Sequence, residues 1–356
     1  MPLDNLLEEN KPLAPFTTLG VGGPARWFFQ AKTEEDIAGA AAWARDRGIQ
    51  LFVLGGGSNL VVSDAGFDGL VLHVALRGIA VEDPGDDSGQ RRFRAAAGED
   101  WDSFVTRTIE EDCAGLECLA GIPGTVGGTP VQNVGAYGQE VSSTIERVRA
   151  FDLREMQWVE FTAVECEFAY RRSRFNTVER GRFVVTRVDY RLMQGGAATL
   201  SYADVRRAFA ADAKPSLAKV AVAVRSIRQS KGMLLVEGDP DCRSAGSFFK
   251  NPVIANELAD RIARTSGKEP PRFATADAGR VKIPAAWLIE QAGFAKGYAM
   301  GRAGISSRHT LALINRGDAT AREILALEGE IKSAVQLRFE ISLEIEPVLV
   351  GFEGAG

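Results

Sequence analysis

Two glycine-rich stretches carry the clearest chemical signal in this chain. Residues 120–138 read Ala-Gly-Ile-Pro-Gly-Thr-Val-Gly-Gly-Thr-Pro-Val-Gln-Asn-Val-Gly-Ala-Tyr-Gly, six glycines and two prolines in nineteen positions with almost no charge. Glycine and proline are the poorest helix formers, and the stretch is too apolar for a solvated linker. What remains is backbone that turns repeatedly and lets a ligand approach closely. The second stretch, Gly55-Gly56-Gly57-Ser58-Asn59, reads either as a simple turn or as an anion cradle, in which successive N–H groups point at one phosphate. Two such loops with few competing charges favour the cradle and a large phosphorylated cofactor. Residues 20–25, Gly-Val-Gly-Gly-Pro-Ala, match Gly-x-Gly-x-x-Ala, but a dinucleotide fingerprint must follow a strand and open a helix. Here Ala25–Gln30 runs on as a strand. The Gly55 loop fails the same test, because Leu60-Val61-Val62 continues extended. A dinucleotide bound here sits on a fold other than the doubly wound one.

Other chemistries find little support. Four cysteines (113, 118, 166, 242) form no Cys-x-x-Cys pair and only His73 and His309 accompany them, so no metal site is expected and the thiols read as reduced. No Gly-x-Ser-x-Gly element accompanies a histidine, which argues against an acyl-transfer serine. The net charge of −5 gives no field for a nucleic-acid backbone. Met1–Phe16 lacks a basic head with an apolar core, so no secretory leader is expected. No run of about eighteen apolar residues suggests a membrane span.

The elements that must position these loops alternate irregularly. Thr33–Gly48 reads as a capped helix, Ile49–Leu54, Leu60–Val62 and Leu70–Val74 as strands, and Pro84–Gln90 as a hairpin tip. Trp101–Asp112 is an amphipathic helix before the long glycine segment. Arg147–Leu153, Met156–Phe161 and Arg182–Leu192 alternate as strands do. Tyr202–Asp212, Val220–Ser230, Pro284–Gly293 and Thr320–Leu337 read as helices, Lys231–Arg243 as a polar loop, and Phe339–Pro347 as a period-two strand. Without a regular βαβ rhythm, the class is α+β.

Taken together the motifs resemble one family, the UDP-N-acetylenolpyruvoylglucosamine reductases (MurB) in their longer, type I subclass. They are Thr17-Thr18-Leu19-Gly20, the loops at 55–59 and 121–128, Gln-Asn-x-Gly-Ala-Tyr-Gly at 132–138, Phe-Ala-Tyr-Arg-x-Ser at 168–173, Gly-Ser-Phe-Phe-Lys-Asn-Pro at 246–252 and Leu-Glu-x-Glu at 343–346. One departure is Gly232–Gly238, which looks like an insertion between Lys231 and the Gly-Ser-Phe-Phe motif.

The resemblance implies a two-lobed FAD-binding module of the PCMH type, not a Rossmann fold, plus a C-terminal α+β substrate domain. Residues 1–76, joined by the C-terminal strand at 338–356, form lobe 1, residues 77–200 lobe 2, and residues 201–337 the substrate domain. It implies that NADPH reduces non-covalently bound FAD, and that the flavin then reduces UDP-N-acetylenolpyruvoylglucosamine to UDP-N-acetylmuramate. That step serves peptidoglycan precursor synthesis, and with it cell-wall biogenesis, shape and division, in a cytoplasmic protein expected to be a monomer. FAD is placed at Gly55, Gly56, Gly57, Ser58, Asn59, Gly121, Ile122, Pro123, Gly124, Gly127, Gly128, Asn133, Gly135, Ala136 and Tyr137.

The same resemblance assigns the catalytic roles. Ser247 becomes the proton donor to C2, although Gly-Ser by itself reads as a turn. Arg171 becomes the fork that stabilises the enolate, a choice the run Arg171-Arg172-Ser173-Arg174 leaves open. Glu346 joins them, although Glu340, Glu344 and Glu346 alternate alike with apolar neighbours. Tyr170, Tyr202, Arg228, Lys231, Asn251 and Gln291 are placed on the UDP-sugar, each of which taken singly is an ordinary core or surface residue. The alternatives are a related flavin oxidase, which often carries a covalent histidine link where Ser58 and Asn59 stand, and a non-catalytic UDP-sugar-binding protein.

Overall fold

The structure, a computed structural model, describes residues 3–83, 85 and 89–352. By contact the chain forms two compact units. The first contains residues 1–11, 25–57 and 67–230, and the second residues 12–24, 58–66 and 231–356. The segment 201–230 thus belongs by contact with the first unit.

The first unit holds two larger sheets and a short two-stranded hairpin at 135–140. A four-stranded sheet runs in the order Glu8–Pro12, Pro24–Ala31, Phe67–Val74, Leu51–Leu54, with the last three strands parallel. Helix α1 (Glu34–Asp46) supplies its crossover. Thr33 caps α1 by the expected chemistry, its hydroxyl accepting from Asp36 N–H while the Asp36 carboxylate accepts from the Thr33 amide, so two orphan donors of the first turn are satisfied at once. Gly48 ends the helix at φ +63°, a conformation glycine adopts without a Cβ penalty.

The second sheet is antiparallel, in the order Gln157–Thr162, Ile145–Asp152, Phe183–Gln194, Gln90–Ala96, Ile79–Glu82. The expected hairpin tip at 84–90 lies largely outside the described residues. Helix α2 (Trp101–Glu110) packs on this sheet. Trp101 and Phe104 are buried against Tyr190, with ring centroids 6.0 and 5.0 Å away. Each such buried side chain contributes roughly 1.5–3 kcal/mol, so α2 is anchored by its first turn, the part nearest the glycine segment.

Two sequence expectations need correction here. Tyr202–Asp212 is helical only over α3 (Ala203–Arg206). Of the residues from 201 to 212 only Val205 is buried, and a helix with no apolar face to bury does not propagate. Helix α4 (Leu217–Ser230) then completes the unit, burying Leu217, Val220, Ala221 and Val224.

The second unit is built on α5 (Asn256–Ser266), α6 (Ala285–Gln291) and α7 (Ala321–Phe339) with three small sheets. One has the order Val253–Ala255, Arg280–Lys282, Phe273–Ala274, one has the order Ala299–Met300, Ala303–Ile305, Leu313–Asn315, and one pairs Val348–Val350 in parallel with Leu60–Val62. Its core joins Leu19, Val21 and Val61 to Phe248, Leu288, Leu313 and Ile331. The other correction falls here. Phe339–Pro347 is not a regular strand, because α7 runs through Phe339 and Glu340 turns the chain at φ +58°. The alternation of burial from Ile341 to Glu344 is real, but the segment pairs only through an isolated Phe249–Ile345 bridge.

The mixed sheets and helices make the class α+β, as expected, and no strand–glycine loop–helix arrangement of the doubly wound kind occurs at Gly20 or Gly55.

Candidate active site

In the first unit the two glycine loops are built against each other. A Cβ on Gly56 would lie 2.5 Å from Gly124 Cα, and one on Gly55 would lie 3.1 Å from Thr125 Oγ1. A Cβ on Gly127 would meet Ala97 Cβ at 2.6 Å. Glycine is required at Gly56 by the backbone of Gly124 and at Gly127 by Ala97, while Gly56 and Gly128 keep an exposed face. The base of the longer loop is stitched to the start of α2: Trp101 N–H donates to Gly124 O (3.1 Å), Val126 N–H to Glu99 O (2.9 Å) and Gly127 N–H to Ala97 O (2.8 Å). Ile122 and Pro123 are half-buried within it. The result is a fixed, uncharged backbone cradle, the kind of surface a dinucleotide diphosphate can approach.

The continuation of the loop is held by side chains. Asn133 is buried at φ +43°. Its amide donates to Glu140 Oε2 (2.9 Å) and Ala169 O (3.0 Å) and accepts from Ser142 N–H (3.1 Å). Its side chain thus ties 133–142 to the 169–171 turn. Gly135 O accepts from Arg171 Nη1 at 3.0 Å, and Arg171 itself stands at φ +56°. Ala136 pairs with Gln139 in a short hairpin. Tyr137 packs edge-on against Tyr202, centroids 5.5 Å apart. Tyr170 and Tyr202 are both largely exposed.

Arg228 is the buried cation of this group. Its Nε donates to Gly121 O at 2.9 Å. Burial lowers its pKa, opposed by the Tyr137 phenol and the Asp102 carboxylate, and the nearby Arg171 charge pushes in the same direction as burial. Such a group favours an anionic partner. Gly55–Gly57, Gly121–Gly128, Asn133–Tyr137, Tyr170, Arg171, Tyr202 and Arg228 thus lie within one unit. Asp102, which accepts from Gly121 N–H, and Arg225, which holds Asp102, carry no sequence signal that separates them from other charged helix residues.

The remaining candidates lie in the second unit. Gly246 turns the chain at φ +75° just before Ser247. Phe248 is locked on both sides: its N–H donates to Leu311 O (2.7 Å) and its carbonyl accepts from Glu346 N–H (2.9 Å). Lys250 N–H donates to Glu344 O (2.9 Å). The Ser247 and Glu346 segments therefore run side by side. Asn59 donates to Glu346 O at 3.2 Å and its own carbonyl accepts from Val348 N–H at 2.9 Å. Ser58 O accepts from Thr18 Oγ1 at 3.4 Å, and the same hydroxyl donates to Ser244 O at 2.6 Å. Thus Thr18, Ser58, Asn59, Ser247 and Glu346 come together from four motifs. Asn251 Oδ1 accepts from Ala285 N–H (2.9 Å) at the start of α6, and Gln291 ends that helix half-buried.

Lys231 opens the longest segment of the second unit, followed by residues 232–238. Gly232 at φ +65° fits closely over Asp241, Ser306 and Arg308. Arg308 bridges Asp239 and Asp241, and Cys242 Sγ lies 2.7 Å from Leu234 O. The segment is thus tied at its base.

The fold and the cradle define a flavoprotein class: a family model described as an FAD binding domain matches residues 25–155. A second, described as the UDP-N-acetylenolpyruvoylglucosamine reductase C-terminal domain, matches residues 239–350. The UDP-N-acetylenolpyruvoylglucosamine reductase of Streptomyces coelicolor is 46% identical over 96% of this chain and 89% of its own. That of Thermobifida fusca is 46% identical over 96% and 97%. The crystal structure of MurB from Thermus caldophilus superposes with a TM-score of 0.66 at 26% identity, covering 97% of this chain and 99% of that one. The chain belongs to the UDP-N-acetylenolpyruvoylglucosamine reductase family.

Proposed function

We propose that the protein reduces UDP-N-acetylenolpyruvoylglucosamine to UDP-N-acetylmuramate in peptidoglycan precursor synthesis, with NADPH as electron donor and FAD bound without a covalent link, in the cytoplasm and as a monomer. The observation that carries the reading is the pairing of the 248–250 and 344–346 segments, which brings the Ser247 and Glu346 positions side by side. Its substrate is named by the relatives. The glycine cradle fits a dinucleotide diphosphate, because its backbone is uncharged and closely approachable. Neither histidine lies in that cradle, since His73 is on the Phe67–Val74 strand and His309 follows Arg308, which supports non-covalent binding.

Residues 55–59, 121–128 and 133–137 would hold FAD. When bound, FAD would supply the hydride chemistry, accepting a hydride from NADPH and donating one to C3 of the enolpyruvyl ether. The protein's own groups then handle charge and protons. Arg171 offers fixed N–H donors to the charge that develops on C2 and its carboxylate. The Ser247 hydroxyl gives its proton to C2. A neutral donor is strong enough when the acceptor is an enolate carbon, provided it is aimed well. Glu346 stands beside it to assist that transfer. Lys231 suits the substrate diphosphate as a point charge, and Tyr170, Tyr202, Arg228, Asn251 and Gln291 offer polar groups to the sugar nucleotide. NADPH and the sugar nucleotide take turns at one pocket.

The test is an absorbance spectrum of the purified protein, followed by photoreduction and mixing with the enolpyruvyl sugar nucleotide. Oxidised flavin bands that bleach and then return on mixing are expected. A protein that cannot be reconstituted with FAD, or a reduced flavin indifferent to this substrate, sinks the reading. A yellow pellet after acid precipitation would contradict non-covalent binding.

A further inference from the structure

The first glycine of the long loop is held at both ends by charged side chains outside the motifs that define the cradle. Gly121 stands at φ +73°. Its N–H donates to Asp102 Oδ1 at 2.6 Å, and its carbonyl accepts from Arg228 Nε at 2.9 Å. Asp102 in turn is gripped by Arg225: Nη2 reaches Oδ1 at 2.7 Å and Nε reaches Oδ2 at 3.1 Å. The same Nη2 donates to Thr106 Oγ1 at 2.8 Å. This is the fork geometry in which guanidinium and carboxylate fix each other's orientation.

Asp102 lies in the first turn of α2, where any acid is favoured by the helix dipole. That alone does not explain it, because Asp100 already caps the helix by accepting from Ser103 N–H at 2.8 Å. Arg225 and Arg228 are three apart on α4, hence neighbours on one face. One contacts Gly121 through Asp102, the other directly. A partly exposed ion pair adds little by itself, but here a loop peptide depends on its geometry.

We propose that the Asp102–Arg225 pair is a positioning device for the cofactor loop, setting the Gly121 peptide where the diphosphate of a dinucleotide must lie. The inference rests on the reading above that residues 121–128 hold FAD. Asp102 touches the loop and Arg225 holds Asp102; neither is placed on the reacting atoms.

The experiment strips the full-length protein of flavin and titrates it with FAD, following flavin fluorescence, in the wild type and in Asp102→Ala, Asp102→Asn, Arg225→Met and Arg225→Lys. Asp102→Ala and Arg225→Met should each weaken FAD binding by about 10–100-fold, the range for losing a charge-assisted hydrogen bond. Asp102→Asn keeps an acceptor for the Gly121 amide and should lose less. Arg225→Lys keeps the charge without the fork and should fall between the wild type and Arg225→Met. The double variant Asp102→Ala/Arg225→Met should be no worse than Asp102→Ala, because both act through one peptide. Thermal unfolding of the flavin-free forms separates a plain tie between helices. Lower melting temperatures with wild-type FAD affinity would overturn the proposal, as would four variants that bind FAD like the wild type. If Asp102→Ala does not fold, Arg225→Lys and Asp102→Asn decide it by the same titration. A wild-type protein that fails to bind FAD is a separate failure, which sinks the cofactor reading first.

Discussion

The side-chain amide of Asn59 donates to the main-chain carbonyl of Glu346 at 3.2 Å, while Asn59's own carbonyl accepts from Val348 N–H. The last residue of the short glycine motif thus fixes the segment that carries a candidate catalytic acid. Asn59→Asp would set a carboxylate against that carbonyl. It should slow flavin re-oxidation by the enolpyruvyl sugar nucleotide by about 10-fold or more, as expected for losing one hydrogen bond of about 1 kcal/mol and adding repulsion. Rapid-mixing absorbance reads this directly. Unchanged re-oxidation would mean that Glu346 does not need this tether.

Ser247→Ala should leave flavin reduction by NADPH intact and slow re-oxidation by ~10²–10⁴-fold, the usual loss of a general acid. Stopped-flow absorbance separates the two half-reactions. Both at the wild-type rate would remove Ser247 from the proton transfer.

Glu117 is almost wholly buried in the first unit. Its carboxylate accepts from Gly115 N–H (2.9 Å), Thr199 N–H (2.8 Å) and Gln139 Nε2 (2.9 Å). Glu117→Ala strands these donors and should cost about 3 kcal/mol or more, at about 1–3 kcal/mol for each buried group left unsatisfied. Urea unfolding measures it; a loss below about 1 kcal/mol would show that water or repacking satisfies them.

Asp239 in the second unit is held below its ordinary pKa chiefly by the hydrogen bond from Arg308. Since the folded value is the lower one, the stabilisation is complete above the unfolded carboxylate range near ~3.9. It is lost as pH falls through the folded value. Arg308→Met should therefore move acid unfolding to higher pH and lower stability at neutral pH. A circular-dichroism pH titration checks this, and an unmoved acid midpoint would contradict it.

Much of this was legible because local chemistry decided it. Thr33 announces a helix cap, and α1 begins where it puts it. The glycines at 56 and 127 announce close approach, and the structure packs them where a Cβ would collide. The alternation after Phe339 was also real, but the element type depended on partners from 248–250, far away in sequence. For Tyr202–Asp212, composition favoured a helix and the lack of anything to bury against ended it at Arg206. Asp102 and Arg225 were invisible for the same reason as Glu346 was ambiguous. A charged residue on an amphipathic face looks the same whether it meets solvent or a loop peptide.

Leu19, Val21 and Val61 are made early and belong to the core completed by Phe248 through Leu343. On a translating ribosome these apolar side chains emerge long before the residues that will cover them. A nascent chain stopped near Ser230 would leave them bare, a natural foothold for a chaperone. A stop codon shortly before Ile341 would deprive that core of its closing residues, so even a short C-terminal deletion should yield insoluble protein.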